Sequence, residues 1–317
     1  MKAEIFFSII IPVYNGAKTL QLVLESILNQ KYKHFEVIIY DDCSTDNSLQ
    51  ILDDCLKFSK IDYKIVRSKK NKGTFYGWRS GLNKSRGDYI VISPQDNVMR
   101  NDRLYILNNV IKANNNPKIV TSDVCVGTIQ ELKRERVKIR FSLARVFPVN
   151  IATLYLFKSS LFEFDTVVTR KSENKYFHHL KRFSPSEDFA FISAIIHNSD
   201  AKKIHFHVHL PLVYKVFDRG SQTYTNAEKI SLSSKAIIKS SKINWLLSLL
   251  CCSATDNISE IRLSSVKSFS FYLVSRPAGF ILGSIVNTSR LSAMLMLRLL
   301  IGFKEKKVIE AKFFKKN

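Results

Sequence analysis

Two hydrophobic periods alternate along the first 125 residues, and this alternation constrains the fold more than any other feature. Ile5 to Val13 is a run rich in β-branched and aromatic residues, as a strand buried on both faces requires. Thr19 to Asn29 follows, with Leu20, Val23, Leu24, Ile27 and Leu28 at helical spacing. Further strands are expected at Phe35 to Tyr40, Tyr63 to Val66, Tyr89 to Ile92 and Lys118 to Val126. Helices are expected between them at Ser48 to Phe58, Thr74 to Lys84 and Asp102 to Ala113. Strands alternating with helices of this length are βαβ units. The fold class is therefore α/β, Rossmann-like, with a mainly parallel central sheet flanked by helices.

Beyond this block the pattern loosens. Glu131 to Arg140 is highly charged and reads as a surface excursion, and Phe141 to Phe164 has no clear period. Ser184 to Asn198 reads as a helix and Lys203 to Phe217 as extended chain. From about Asn226 the chain is helical, basic and apolar. Two regions follow: an α/β domain over 1–225 and a basic C-terminal region over 226–317, without internal repeats.

Charge singles out a class of partner. The 317 residues carry 49 Lys plus Arg and 27 Asp plus Glu, a net of +22, so something anionic is expected to bind. From Ala201 onward, 19 basic and 6 acidic residues give 19 − 6 = +13. Lys304, Lys306, Lys307, Lys312, Lys315 and Lys316 are interleaved with Phe303, Phe313 and Phe314, which suits an anionic lipid surface as well as a solvated tail. Leu291 to Phe303 suits an interfacial helix or a core helix. The longest charge-free runs in this third, Ile243 to Thr255 and Pro277 to Ser289, fall short of the roughly 18–20 residues that span a bilayer. No nucleic-acid-binding motif accompanies the charge, so nucleic acid is not expected as a partner. The five cysteines form no C-x-x-C pair and are odd in number, which excludes a disulfide framework and points to a cytoplasmic chain.

Ligands of parallel sheets bind outside the carboxyl ends of the strands. Polar clusters lie at those ends: Tyr14-Asn15, Asp41-Asp42 and Gln95-Asp96-Asn97. Neither a Walker loop nor G-x-G-x-x-G follows the first strand, which removes the P-loop and dinucleotide readings. His205, His207 and His209 alternate on one strand. They stand too far apart to share one ion, so a solvated or interface strand is expected.

The ordered segments Ser8-Ile-Ile-Ile-Pro-Val-Tyr-Asn15, Gln30, Phe35-Glu-Val-Ile-Ile-Tyr-Asp-Asp-Cys-Ser-Thr-Asp46, Asn71-Lys-Gly73 and Gly87-Asp-Tyr-Ile90 resemble the family 2 glycosyltransferases. The resemblance is dense over residues 5–110 and thins toward 225. It implies a GT-A fold and an inverting enzyme that moves a sugar from a nucleotide sugar, most readily a UDP-sugar, to a hydroxyl of a glycan or lipid-linked acceptor. It implies surface polysaccharide biosynthesis at the inner face of the cell membrane, with Mn²⁺ or Mg²⁺ as cofactor. A member that binds nucleotide or glycan without turnover is the alternative.

Carried over residue by residue, the resemblance assigns Pro12 and Tyr14 to the nucleobase pocket and Asp42 to a hydrogen bond from the base, with Asn15, Gly73 and Gln95 completing the nucleotide contacts. Asp41, Ser44, Thr45 and Asp46 also suit turn and helix-cap chemistry. Ser93-Pro-Gln-Asp96 stands where the family shows a run of aspartates, leaving Asp96 as the metal ligand or as a cap of the following helix. Gly77-Trp78-Arg79 replaces the family's Ala-Arg-Asn, making Arg79 a candidate for the donor phosphates. Asp188 in Ser184-Pro-Ser-Glu-Asp188 is the expected catalytic base, in a run that also reads as a capping box through Glu187. Arg219 follows Tyr214 in a loop expected to close over the diphosphate.

Overall fold

The computed structural model describes residues 3–216, apart from 135–136, 146–148, 151–152, 155–160, 179, 184–185 and 200–203, and adds Lys229, Ser233 and Ile237. Among the described residues nine strands form one sheet: β1 (Phe7–Val13), β2 (Phe35–Asp41), β3 (Asp62–Arg67), β4 (Tyr89–Ile92), β5 (Asn97–Met99), β6 (Ile119–Gly127), β7 (Lys138–Arg140), β8 (Val168–Arg170) and β9 (His205–Val216). Their order is β3-β2-β1-β4-β8-β6-β9-β5, with β7 paired to β6. The α-helices are α1 (Leu20–Leu28), α2 (Ser48–Leu56), α3 (Thr74–Lys84), α4 (Arg103–Ala113), α5 (Ile129–Lys133) and α6 (Glu187–His197).

β1 to β4 pair in parallel, with Phe7 opposite both Phe35 and Tyr89. β8 enters antiparallel between β4 and β6, β6 and β9 run parallel, and β5 lies antiparallel to β9. The mainly parallel sheet expected from the alternation is thus present. It is extended by strands too short to carry a two-residue period.

The continuous apolar run of β1 follows from its place at the centre of two cores. Phe7, Ile9, Ile11 and Val13 join the cluster on one face with Leu20, Val23, Leu24, Leu52, Leu104 and Leu107 from α1, α2 and α4. Ile10 joins the cluster on the other face with Phe75 and Leu82 of α3 and Phe189, Phe191, Ile192 and Ile195 of α6. Each strand residue loses water from its surface whichever way it points, so alternation with polar residues would be costly. α3 lies so close to the sheet that a Cβ on Gly81 would come within 2.3 Å of Ile10 Cγ2. The glycine spacing in α3 therefore serves close packing.

The expected C-terminal region, 226–317, lies outside the described residues except for three. Of these, Ser233 Oγ donates to Ser186 Oγ at 2.7 Å and Ile237 is buried in the second core. Among the described residues no helix is long and apolar enough to cross a membrane.

Candidate functional site

The carboxyl ends of β1, β2 and β4 meet at one edge of the sheet, and side chains from each loop fasten the next. Gln95 pairs with the backbone of Tyr14: its Oε1 accepts from Tyr14 N at 2.8 Å and its Nε2 donates to Tyr14 O at 3.0 Å. Thr19 Oγ1 donates to Gln95 O at 2.7 Å. Asn15, in the left-handed region at φ 48°, donates its N–H to Ser44 Oγ at 3.0 Å and accepts Thr45 N on Oδ1 at 2.8 Å. Asp46 accepts the Ser48 hydroxyl at 2.5 Å and Ala17 N and Ser48 N, each at 3.0 Å; desolvation raises its pKa, but these bonds, the hydroxyl foremost, hold the carboxyl below the ordinary range. Asp46 is therefore a loop brace.

Asp42 is buried, yet its carboxylate reaches the turn before α3. Oδ1 accepts Lys72 N at 2.8 Å and Oδ2 accepts Gly73 N at 2.7 Å. Gly73 has φ 87°, which an L side chain rarely adopts. A carboxylate offers about four lone-pair directions, so two backbone donors leave room for a further one. Pro12 is half-buried beneath α3 and Tyr14 is exposed above it. Pro12, Tyr14, Asn15, Asp42, Gly73 and Gln95 are thus brought to one edge. Arg79 lies exposed on α3 and acts electrostatically on Tyr76, and Arg219 lies outside the described residues.

Asp188, second residue of α6, lies in a partly open cleft that meets this edge at Ile92 and Pro94, the end of β4. Trp78, Ile92, Pro94, Phe164, Phe191 and Ile192 form most of its wall, with Asp165 as the second carboxylate. Burial among these groups raises the Asp188 pKa to about 7, outweighing the bond its Oδ1 accepts from Phe189 N at 2.7 Å. A carboxylate poised near 7 in a cleft is suited to take a proton. Asp165 and Glu187 add to the rise, and Lys215 opposes it.

Asp96 is half-buried in the turn between β4 and β5, and its carbonyl accepts Val216 N at 3.0 Å. Its neighbours supply no second carboxylate: Gln95 is committed to Tyr14, and Ser93 is fully buried with its hydroxyl directed to Asn97 O at 3.5 Å. Among the described residues no group of three or more His, Cys, Asp or Glu side chains is arranged to hold a metal. One carboxylate still fits an ion such as Mg²⁺, which draws most of its oxygens from substrate phosphates and water.

Sequence reasoning missed Lys215 and Asp165. β5 is three residues long, but it pairs Asn97 with Lys215 and so carries β9 to Asp96. Asp165 sits in a 3-10 turn at Phe164–Thr166, just past the stretch without a clear period, and forms an ion pair with Lys215. The only signal in the sequence was a lone lysine near the end of an otherwise apolar stretch.

The histidine strand differs from expectation. β9 lies inside the sheet, where Thr121 Oγ1 is 2.7 Å from His205 Nε2 and 2.8 Å from His207 Nδ1. His207 Nε2 lies 3.2 Å from Asp123 Oδ1, and Asp123 pairs with Arg145. The first two histidines thus belong to a half-buried to buried polar network between β6 and β9, and only His209 is exposed.

The family model described as "Glycosyl transferase family 2" matches residues 8–178. Curated relatives include an uncharacterized glycosyltransferase of Haemophilus influenzae, 38% identical over 97 residues that make up 31% of this chain and 38% of the relative. The teichuronic acid biosynthesis glycosyltransferase TuaG of Bacillus subtilis, itself named as putative, is 33% identical over 99 residues, again 31% and 38% of the two chains. The matched segment thus spans well under half the length of these relatives. Staphylococcus aureus TarS 1-349 in complex with UDP shares the fold, with a TM-score of 0.58, 18% identity and coverage of 84% of this chain and 74% of that one. The mannosyltransferase PcManGT of Pyrobaculum calidifontis, solved with GDP-Man and Mn²⁺, shares it at a TM-score of 0.55 and 13% identity, covering 98% of this chain and 86% of that one. The fold is that of the GT-A structures. The segment matched by the family model carries Tyr14, Asp42 and Asp96 in the strand-end loops, and on that match the chain belongs to glycosyl transferase family 2.

Proposed function

We propose that the chain is an inverting glycosyltransferase that moves a sugar from a nucleotide sugar, preferentially a UDP-sugar, to a hydroxyl of a glycan or lipid-linked acceptor in surface polysaccharide assembly. The observation that supports the reading is Asp188, a carboxyl held near neutrality in a largely apolar cleft that shares Pro94 with the turn carrying Asp96. The base stacks at Pro12 and Tyr14, and its imide N–H donates to Asp42. Asn15, Gly73 and Gln95 shape this pocket, Gln95 by fixing the Tyr14 backbone. Arg79, exposed on α3, attracts the phosphates, and Arg219 is read as a second cation for them. Asp188 accepts the proton of the acceptor hydroxyl. The new O–C bond forms at the anomeric carbon as the bond to the diphosphate oxygen breaks, and the electron pair leaves with the nucleoside diphosphate.

Asp96 would hold a divalent cation, Mn²⁺ or Mg²⁺, which when bound neutralises the departing diphosphate. UDP in the TarS complex and GDP-Man with Mn²⁺ in PcManGT support the donor class. The basic, apolar C-terminal region is read as the contact with an anionic membrane surface on the cytoplasmic side.

Thermal-shift titration with UDP, GDP, dTDP and CDP, with and without Mn²⁺, tests the donor reading, because a ligand of the folded state raises Tm by mass action. One nucleotide is expected to raise Tm, with a manganese-dependent part lost in Asp96→Ala. No shift with any of the four would contradict it.

A further inference from the structure

We infer that Lys215, braced by Asp165, is the chain's own fixed cation in the donor site, receiving the diphosphate of the nucleotide beside Asp96. The inference rests on the donor reading above and adds a residue to it. Three observations support it.

The first is placement. Lys215 lies opposite Asn97 in the β5–β9 register, and the next residue's N–H is bonded to the carbonyl of Asp96, so the lysine backbone is fixed against the turn that carries Asp96. Tyr214 turns to the first core, which leaves Lys215 on the opposite face of the sheet, where it meets Asp165 of the cleft wall.

The second is bracing. Asp165 lines the cleft with Asp188 and holds the Lys215 ammonium in an ion pair. A lysine ammonium has three donors, and the pair uses one of them. A free lysine loses rotamer entropy when it is fixed, and here Asp165 has fixed it in advance. Both groups keep contact with solvent, at 28% and 19% of their side-chain area, so an entering anion can reach the ammonium.

The third is the deficit around Asp96. With Ser93 buried against the Asn97 carbonyl and Gln95 clamped to Tyr14, the Ser93–Asp96 turn carries one carboxylate. An ion held by one carboxylate is weakly held, and two or more negative charges on the diphosphate then call for a cation belonging to the chain.

The test compares uridine, UMP and UDP binding to the full chain by calorimetry, in Mg²⁺ and in EDTA, for wild type, Lys215→Gln, Lys215→Arg and the double variant Lys215→Gln/Asp165→Asn. The guanosine series serves if uridine nucleotides do not bind. Wild type is expected to keep measurable UDP binding in EDTA. Lys215→Gln is expected to lose about tenfold in UDP affinity while uridine affinity stays within twofold, and Lys215→Arg to recover most of the loss. The double variant leaves no unpaired Asp165, so it guards against a folding defect and is expected to bind as Lys215→Gln does. Equal UDP affinity in wild type and both glutamine variants would overturn the inference while leaving the donor reading intact. A wild type that binds no nucleotide would overturn the donor reading and the inference with it.

Discussion

Asp188 works against the stability of the fold that holds it. Its folded pKa of about 7 lies well above the ordinary carboxylate value, so its contribution is full in acid and withdraws as pH rises through 7. Asp188→Asn keeps an Oδ1 for the Phe189 N–H and removes the ionisation. Scanning calorimetry is expected to show a higher Tm than wild type at pH 8, by about 1–2 kcal/mol of stability, and a smaller gain at pH 5. An unchanged Tm at pH 8 would mean that the carboxyl is better solvated than its cleft suggests. Asp42 differs, because its two backbone bonds brace the turn before α3. Asp42→Ala is expected to lose nucleoside binding and to lower Tm together, whereas Asp188→Asn separates binding from turnover. Both aspartates were legible in the sequence, since each stands in a run whose types and order are specific. Asp165 and Lys215 were not, because β5 and β9 pair across more than a hundred residues to place Lys215, and its ion pair reaches a turn fifty residues back.

The first four strands and their helices were legible from their patterns: β1 is apolar at every position but Ser8, and α1 repeats Leu and Val at helical spacing. β5, β7 and β8 have three residues each, shorter than any pattern can declare, and only their partners make them strands. Their absence from the sequence reading hid how β9 reaches Asp96. The close seat of α3 supplies a test at this scale. Gly81→Ala places a Cβ against Ile10, a β-branched residue locked in the central strand, and overpacking of this kind costs about 1–3 kcal/mol. A fall in Tm is expected. A rise would show that α3 can shift off the sheet, with consequences for the Asp42–Gly73 bonds at its start.

For the whole molecule, one sheet separates two cores, and the polar network of His205, Thr121, His207, Asp123 and Arg145 bridges β6 and β9 on the side of the second. Burial pushes the His205 pKa down to about 3, so the folded chain binds this proton less readily than the unfolded one. Stability from this group is present above about pH 6.5 and is lost as pH falls toward 3, by at most about 1.4 kcal/mol per pH unit. His205→Phe keeps the ring against Phe162, 5.7 Å away, and gives up the bond to Thr121. It is expected to be less stable than wild type at pH 8 but flatter between pH 6.5 and 4.5. Parallel pH–stability curves for the two proteins would contradict this.

The central claim is that nucleotide held at the ends of β1, β2 and β4 presents its sugar to a base on α6. The most direct measurement is nucleoside diphosphate release from the sugar nucleotide whose nucleotide binds, in the presence of lipid-linked acceptor, for wild type and Asp188→Asn across pH 5–9. Release by wild type is expected to rise with a midpoint near pH 7, and Asp188→Asn to bind the nucleotide with unchanged affinity yet release at least about 100-fold more slowly. Equal release by both proteins, or a rate that ignores pH over this range, would contradict it.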